Sequence, residues 1–283
     1  MTALMQLVYS IIIGIVQGIA EWLPISSKTQ VLIASTYLLN LSYQQAYTFG
    51  LFMEIGTVLA AVIYFRKELW MLIQALFGAK DHAKRKLLIY VVVATVITGI
   101  IGAPLYLIAD SITGVAVGIP MLILGIILIV DALIIRHSRK KVAGGGNTRK
   151  FADMTMKDYI LIGIAQGIAA LPGVSRSGVT TSVMLLMKVE ADEAFRLSFL
   201  IGIFAAIAAF GLTLVASHGN VSAALVGIGY TGLVVAIITA TIVSLFLIDF
   251  LIKIAGKSQI VYVTAALGLI AMGSGVLYLL FGL

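Results

Sequence analysis

The sequence predicts an all-α polytopic membrane protein, with six transmembrane helices and two re-entrant helical hairpins arranged as an inverted-topology repeat. Three observations carry this reading: a composition that water cannot solvate, basic residues confined to alternate loops, and two polar, proline-broken segments that resemble each other. Of 283 residues, 61% are hydrophobic and 11% charged, and the mean hydropathy is +1.13; a soluble domain is roughly 45–50% apolar and 25% charged. A formal charge of +7 would suggest nucleic acid in a soluble protein. Here the basic residues lie between apolar runs, where they set topology and attract anionic headgroups. Cysteine is absent, which excludes a disulfide framework, a thiolate metal site and a cysteine nucleophile.

The elements follow in order. Residues 4–39 are interrupted at Leu23-Pro24-Ile25-Ser26-Ser27; the leading apolar run lacks a basic n-region and a cleavage pattern, so it reads as mature structure. Spans of about the 20 residues needed to cross a hydrocarbon core of about 30 Å come next, at 46–65, 87–108 and 115–135. The Gly-rich, basic stretch 136–157 reads as a flexible cytoplasmic linker. Residues 158–187 are interrupted at Leu171-Pro172-Gly173-Val174-Ser175, and three more spans occupy 194–216, 223–250 and 259–282. Each interrupted segment makes either two short crossings or a re-entrant hairpin. The hairpin is preferred, because irregular backbone at membrane depth survives only where protein buries it or it lines a wet cavity.

Loops 66–86 and 136–157 hold six and seven Lys and Arg, and 17 of the 19 fall on one side of the membrane. By the positive-inside rule that side is the cytoplasm, so both termini face outside in a multi-pass plasma-membrane protein. Within one membrane domain, 1–283, self-comparison gives a first half, 1–135, the linker 136–157 and a second half, 158–283. Gly14, Gln17 and Gly18 match Gly163, Gln166 and Gly167; Leu23-Pro24 matches Leu171-Pro172, Ser27 matches Ser175 and Lys28 becomes Arg176; Phe49, Ile55 and Gly56 match Phe195, Ile201 and Gly202. One hairpin plus three spans per half inverts the second half and brings the two tips together near the midplane.

The chemistry concentrates at those tips. Gln17 and Glu21 share a helical face, and Ser26, Ser27, Lys28, Thr29 and Gln30 follow the break. An ionisable group at the centre of a membrane helix costs about 2.5–3.5 kcal/mol, so Glu21 is read as a base or metal ligand, or as the structural counter-ion of Lys28 or Arg176. The second tip, Pro172-Gly173-Val174-Ser175-Arg176-Ser177-Gly178-Val179-Thr180, has the composition of an anion cradle with Arg176 as a bidentate clamp; a plain helix cap with a buried ion pair is the alternative. Glu54 either lines the same cavity and holds a divalent ion with Glu21, or sits at headgroup level. Asp131 and Asp249 are expected to pair with Arg136 and Lys253. His82, His137 and His218 all fall in loops, so no histidine serves the hairpins.

Gln17-Gly-Ile-Ala-Glu21-Trp-Leu-Pro24-Ile-Ser26-Ser27 resembles the (E/Q)xxxE-FLPxSS signature, and the Pro172–Thr180 stretch the PGxSRSxxT signature, of the undecaprenyl-diphosphate phosphatase family, also called the bacitracin-resistance family. The resemblance covers essentially the whole chain. It implies hydrolysis of a polyprenyl (C55-type) diphosphate to the monophosphate and inorganic phosphate at a site open to the outer face, helped by a divalent cation, Mg2+ or Ca2+. That activity recycles a lipid carrier for glycan and cell-wall synthesis and confers bacitracin resistance. The expected catalytic set is Glu21 as base, Ser27 as nucleophile or water-positioner, and Arg176. Gln17, Ser26, Lys28, Gln30, Gly173, Ser175, Ser177 and Thr180 are expected to bind substrate, and Glu21 with Glu54 the metal. The chain departs from the family at Gln30, where a catalytic histidine usually stands; glutamine hydrogen-bonds but takes no proton, and Lys28 is expected to compensate by binding the leaving phosphate. The expected partners are the polyprenyl diphosphate, membrane lipids and a second copy in a homodimer, with no nucleic acid. The competing reading from the inverted repeat is a transporter or flippase of polyprenyl phosphate or another anion.

Overall fold

The computed structural model describes residues 3–23, 25–39, 41, 43–78, 80–111, 119, 122–123, 125–130, 132–133, 136, 148–171, 174–216, 229–255, 257 and 259–281. The described residues are all-helical and contain no strand. In order they form α1 (Ala3–Ala20), α2 (Ser27–Leu39), α3 (Tyr43–Tyr64), α4 (Arg66–Leu76) and α5 (His82–Ser111), then a 3-10 turn (Phe151–Asp153). The remainder are α6 (Met156–Ile168), α7 (Arg176–Leu186), α8 (Ala191–Ala216), α9 (Gly229–Ala255) and α10 (Ile260–Phe281).

Among the described residues, four helical stretches are long and apolar enough to cross a membrane: His82–Ile108, Ala191–Gly211, Gly229–Ala255 and Val261–Leu280. They coincide with the spans expected at 87–108, 194–216, 223–250 and 259–282, and the chain is a multi-pass membrane protein. The span expected at 46–65 falls on α3; the one at 115–135, with Asp131, lies largely outside the described residues. Helix α9 shows why water is the wrong solvent. Its small residues Gly232, Ala236, Ala240 and Ser244 are buried, while Val234, Ile238, Ile242, Phe246 and Phe250 repeat every fourth position and are each at least half exposed. Such a stripe is a liability in water and the natural contact surface in lipid, with small residues left to let helices approach.

The interrupted segments are short-armed. Helices α2, α6 and α7 have 13, 13 and 11 residues, about 16–20 Å at 1.5 Å per residue, against a hydrocarbon core of about 30 Å. At the first break the helical path continues as far as Glu21, whose N–H donates to the Gln17 carbonyl at 3.0 Å. Ser26 then takes φ +55°, a left-handed conformation costing about 1–2 kcal/mol for a residue with a Cβ, and α2 doubles back onto α1. The second break closes through tight turns at Leu171 and Val174 and returns as α7, which Ser175 caps by accepting from the Gly178 N–H at 3.2 Å.

The most extensive packing crosses the chain: α1 lies on α9, and α6 lies on α5. The two contacts are built alike. A Cβ added at Gly14 would stand 2.6 Å from the Ala236 carbonyl oxygen and 2.7 Å from Thr239 Cβ; one at Gly163 would stand 2.8 Å from the Ala94 oxygen and 2.8 Å from Ile97 Cβ. Only glycine admits backbones this close. A hydroxyl bonds a glycine carbonyl in each contact: Ser244 Oγ donates to Gly18, one turn after Gly14 (3.3 Å), and Thr98 Oγ1 to Gly163 itself (3.2 Å).

Residues 148–157, the end of the stretch expected to be a flexible linker, are packed. Arg149 bridges to the chain at Val189 and binds Asp158 at 2.6 Å. The Phe151 ring sits 5.6 Å from Tyr90 and 6.3 Å from Tyr159, and Lys86 Nζ donates to the Ala152 carbonyl at 2.5 Å. Aromatic burial here outweighs the entropy that the polar composition suggested would win.

Candidate active site

The two breaks meet. Glu21, at the end of the first helical arm, is 8% exposed and its carboxylate is fully engaged: Gln17 Nε2 donates to Oε2 at 2.9 Å, Ser27 Oγ donates to the same oxygen at 2.7 Å, and Arg176 from the second break binds Oε1. Gln17 reaches Glu21 because four residues make one helical turn. Ser27 reaches it because the left-handed Ser26 turns the start of α2 back over the end of α1. Glu54, on α3 and 3% exposed, completes the cluster; its Oε1 is 3.6 Å from Lys28 Nζ and its Oε2 3.9 Å from Arg176 Nη1.

Two carboxylates and two cations balance, but not at the same depth. The side chains of Glu21 and Glu54 are 5% and 4% exposed, those of Arg176 and Lys28 22% and 29%. An incoming ligand meets the cations first, with the carboxylates behind them. At an effective dielectric near 20, a pair 4 Å apart is worth about 4 kcal/mol, and stripping one partner from a buried pair costs about 3–5 kcal/mol. Only another anion can take Arg176 from Glu21 without that penalty.

The second tip docks on the first through backbone. Ser175 Oγ donates to the Leu23 carbonyl (3.3 Å), Ser177 Oγ to the Glu21 carbonyl (3.3 Å), and the two hydroxyls are 3.2 Å apart. Thr180 is turned away from the cluster: fully buried, it donates to the Arg176 carbonyl (2.7 Å) and lies 2.5 Å from Ser198 Oγ on α8. Gln30 Nε2 donates to the Ile25 carbonyl (3.2 Å) and braces the break. Ser26 contributes its backbone, its carbonyl accepting from the Gln30 N–H at 3.1 Å. Gly173 lies outside the described residues. Asp249 pairs with Lys253 at 2.5 Å, far along the chain from the tips.

Two residues that the sequence did not single out support the clamp. Ser198 locks Thr180 and so the first turn of α7. Gly202 lies under the guanidinium, where a Cβ would stand 3.7 Å from Arg176 Nε. The internal repeat paired Gly202 with Gly56 and was the available signal; Ser198, a serine in an apolar helix, carried none.

The arrangement is a serine hydroxyl hydrogen-bonded to a carboxylate, beside a guanidinium and an ammonium, the groups that a nucleophilic attack on an anionic substrate would need. The bacitracin resistance protein BacA family model matches residues 10–272. A Sulfurisphaera tokodaii protein named undecaprenyl-diphosphatase is 50% identical over 278 residues, covering 98% of this chain and all of that protein. Proteins of the same name from Saccharolobus solfataricus and Pyrobaculum aerophilum are 46% identical, over 94% of this chain and 95% of theirs, and 36% identical, over 98% of this chain and all of theirs.

Proposed function

The chain belongs to the BacA bacitracin resistance family, and from that premise we infer that it is a membrane diphosphatase: it hydrolyses an undecaprenyl-type diphosphate to the monophosphate and inorganic phosphate, recycling a lipid carrier for glycan and cell-wall synthesis. The observation that carries the chemistry is the 2.7 Å hydrogen bond from Ser27 Oγ to Glu21 Oε2, with Arg176 on the other carboxylate oxygen. A serine hydroxyl is a weak nucleophile until an adjacent base takes its proton.

The diphosphate enters as an anion and takes over Arg176 and Lys28. Ser27 Oγ attacks the terminal phosphorus while its proton moves to Glu21 Oε2; the bond from that phosphorus to the bridging oxygen breaks, and the lipid monophosphate leaves with the proton from Glu21. Arg176 stabilises charge on the transferring oxygens. Water then attacks the phosphoserine, giving a proton to Glu21; inorganic phosphate departs and Glu21 reprotonates Ser27. The anion grip is assigned to Arg176 and Lys28 together with Ser175 and Ser177, and the roles of Gln30 and Thr180 to bracing the two helix starts.

A divalent cation fits this site. Glu54 Oε2 is buried with no hydrogen-bond partner among the described residues, so Glu54, with Glu21 beside it, has a lone pair to offer Mg2+ or Ca2+. Among the described residues no cluster of three His, Asp or Glu ligands exists, so phosphate oxygens of the substrate would complete the shell, as is usual for such hard cations. Bound there, the ion would neutralise diphosphate charge.

The short arms of α2, α6 and α7 and the matched α1–α9 and α6–α5 contacts support the finer architecture: six spans, two re-entrant hairpins and halves of opposite orientation. The charge distribution supports a plasma-membrane location with both termini outside.

Phosphate release from undecaprenyl diphosphate by the purified protein, with and without a chelator, tests the proposal. The parent should release phosphate, chelation should slow it, and Glu21→Gln should nearly abolish it. Binding without release by the parent would instead mark a carrier, and undiminished release by Glu21→Gln would remove the base from the mechanism.

A further inference from the structure

The basic stretch 66–86, read from the sequence as a loop, holds helix α4. Phe65 leaves helical geometry (φ −90°, ψ 20°), Arg66 Nη1 donates to the Ile63 carbonyl in the last turn of α3 at 3.0 Å, and α4 packs on α5. Its inner face is occupied by protein: Glu68, Leu72 and Ala75 are buried, and Glu68 pairs with Arg196 of α8. At about 100° per residue the opposite face carries Trp70, Ile73 and Phe77, which are 59%, 42% and 88% exposed. Phe77 keeps the helical register, its N–H donating to the Ile73 carbonyl at 3.2 Å. The flanks of this stripe differ. By the same spacing Lys67 and Gln74 lie on one side of it, and Leu69 and Leu76 on the other; Leu76 is 67% exposed.

Charge selects what covers that face. Arg66 and Lys67 open the helix and Lys80 follows it, all three exposed, and among the described residues none of them pairs with a carboxylate. A second copy docked on the same face would set these cations against their own kind. Anionic headgroups would neutralise them, and an apolar stripe with a tryptophan among cations is the composition of a helix lying in a membrane interface. The spans that α4 connects also present apolar side chains near it in the chain: Leu59 and Ile63 of α3 and Ile89 and Val92 of α5 are exposed.

We propose that α4 lies in the plane of the bilayer, in the leaflet on the side of the basic loops, as a docking surface for anionic phospholipid. Leu69 and Leu76 point to the hydrocarbon and Lys67 and Gln74 to water, with Trp70 at headgroup level and Arg66, Lys67 and Lys80 on the lipid phosphates. The Glu68–Arg196 pair keeps the inner face on α8, so the helix cannot hide its stripe by rolling over. The inference does not depend on the diphosphatase reading.

The test uses the full-length protein in vesicles of phosphatidylcholine and phosphatidylglycerol in equal amounts. The chain has no cysteine, so Gln74→Cys and Leu76→Cys each give one site for a spin label. With α4 in the plane, the label at 76 should be relaxed by oxygen dissolved in the hydrocarbon and shielded from a water-soluble nickel chelate, and the label at 74 the reverse. For headgroup choice, the difference in fluorescence between the parent and Trp70→Phe isolates Trp70. Brominated phosphatidylglycerol should quench it more strongly than brominated phosphatidylcholine, with a preference that falls about fivefold in Lys67→Gln and shrinks as salt is raised; Lys80→Gln is the second variant should Lys67→Gln fail to fold. A label at 76 that the nickel chelate reaches as readily as the one at 74 would mean an upright helix in water. Spin–spin broadening at 76 that unlabelled protein dilutes away would mean a second copy on this face. Equal quenching by the two lipids would mean apolar contact without recognition of the headgroup. Each of these three results overturns the proposal.

Discussion

The two broken segments begin alike and end differently. Each arm ends in a leucine-proline break, each break is followed by a serine at the start of the return helix, and each serine is followed by a cation. Yet Ser175 spends its oxygen on the Gly178 N–H, an ordinary helix cap, while the Ser27 hydroxyl donates its hydrogen bond to a carboxylate. The difference traces to one position: Glu21 stands where the second segment has Ala170. A hydroxyl placed by a duplicated backbone becomes a candidate nucleophile only where a neighbour diverts it from capping.

That contrast can be broken most sharply at the serines. Ser27→Ala should lower phosphate release by at least about 10^3-fold, the scale of losing a nucleophile, whereas Ser175→Ala, which removes one donor of the anion grip and a helix cap, should raise KM several-fold with kcat within about tenfold and a stability loss of about 1 kcal/mol. Comparable activity losses at both would mean that the segments share the chemistry. The cations come next: Arg176→Ala should cost about 10^2–10^3-fold in kcat, and Lys28→Ala should cost clearly less, because among the described residues Lys28 pairs with Glu54, from 3.6 Å, and Arg176 with both Glu21 and Glu54. Kinetics with undecaprenyl diphosphate would rank them, and a larger loss at Lys28 would reverse the assignment of the grip. The smallest effects test where the segments agree. Gly14→Ala and Gly163→Ala should each destabilise by about 1–3 kcal/mol through overpacking, and by similar amounts, because each glycine opposes a carbonyl at nearly the same distance; thermal unfolding in one detergent would show whether the contacts are equivalent.

Much of this was legible in the sequence. Glu21 stood out because a carboxylate in an apolar run needs a reason, and its partners Gln17 and Ser27 followed from helical spacing and the break. Long spans such as α8 and α9 were visible because lipid imposes length and composition on them. What could not be read depended on elements distant in sequence. Thr180 belonged by position to the stretch expected to bind phosphate, and only the crossing of α7 with α8 shows it committed to Ser198. Phe151 looked like one aromatic in a polar linker until Tyr90 and Tyr159 supplied a place for its ring. Gln30 was expected to bind substrate, and its tie to the Ile25 carbonyl depends on the turn that Ser26 makes.

The crossed packing of α1 on α9 sets an order of events during synthesis. Gly18 and the Ser244 hydroxyl that binds its carbonyl are 226 residues apart, so at about 5–20 residues per second the first arm waits roughly 10–45 s for its mate. Arg176 emerges earlier, 155 residues after Glu21, so for part of that interval Glu21 is held by the clamp while α1 still lacks its flank. A nascent chain stopped before residue 229 therefore carries a charged tip with no finished wall around it. Such a fragment should be cleared by membrane proteases when expressed alone and accumulate when residues 229–283 are supplied separately, which immunoblotting of membranes would reveal. Birth order thus leaves the earliest-made segment among the last to be sealed.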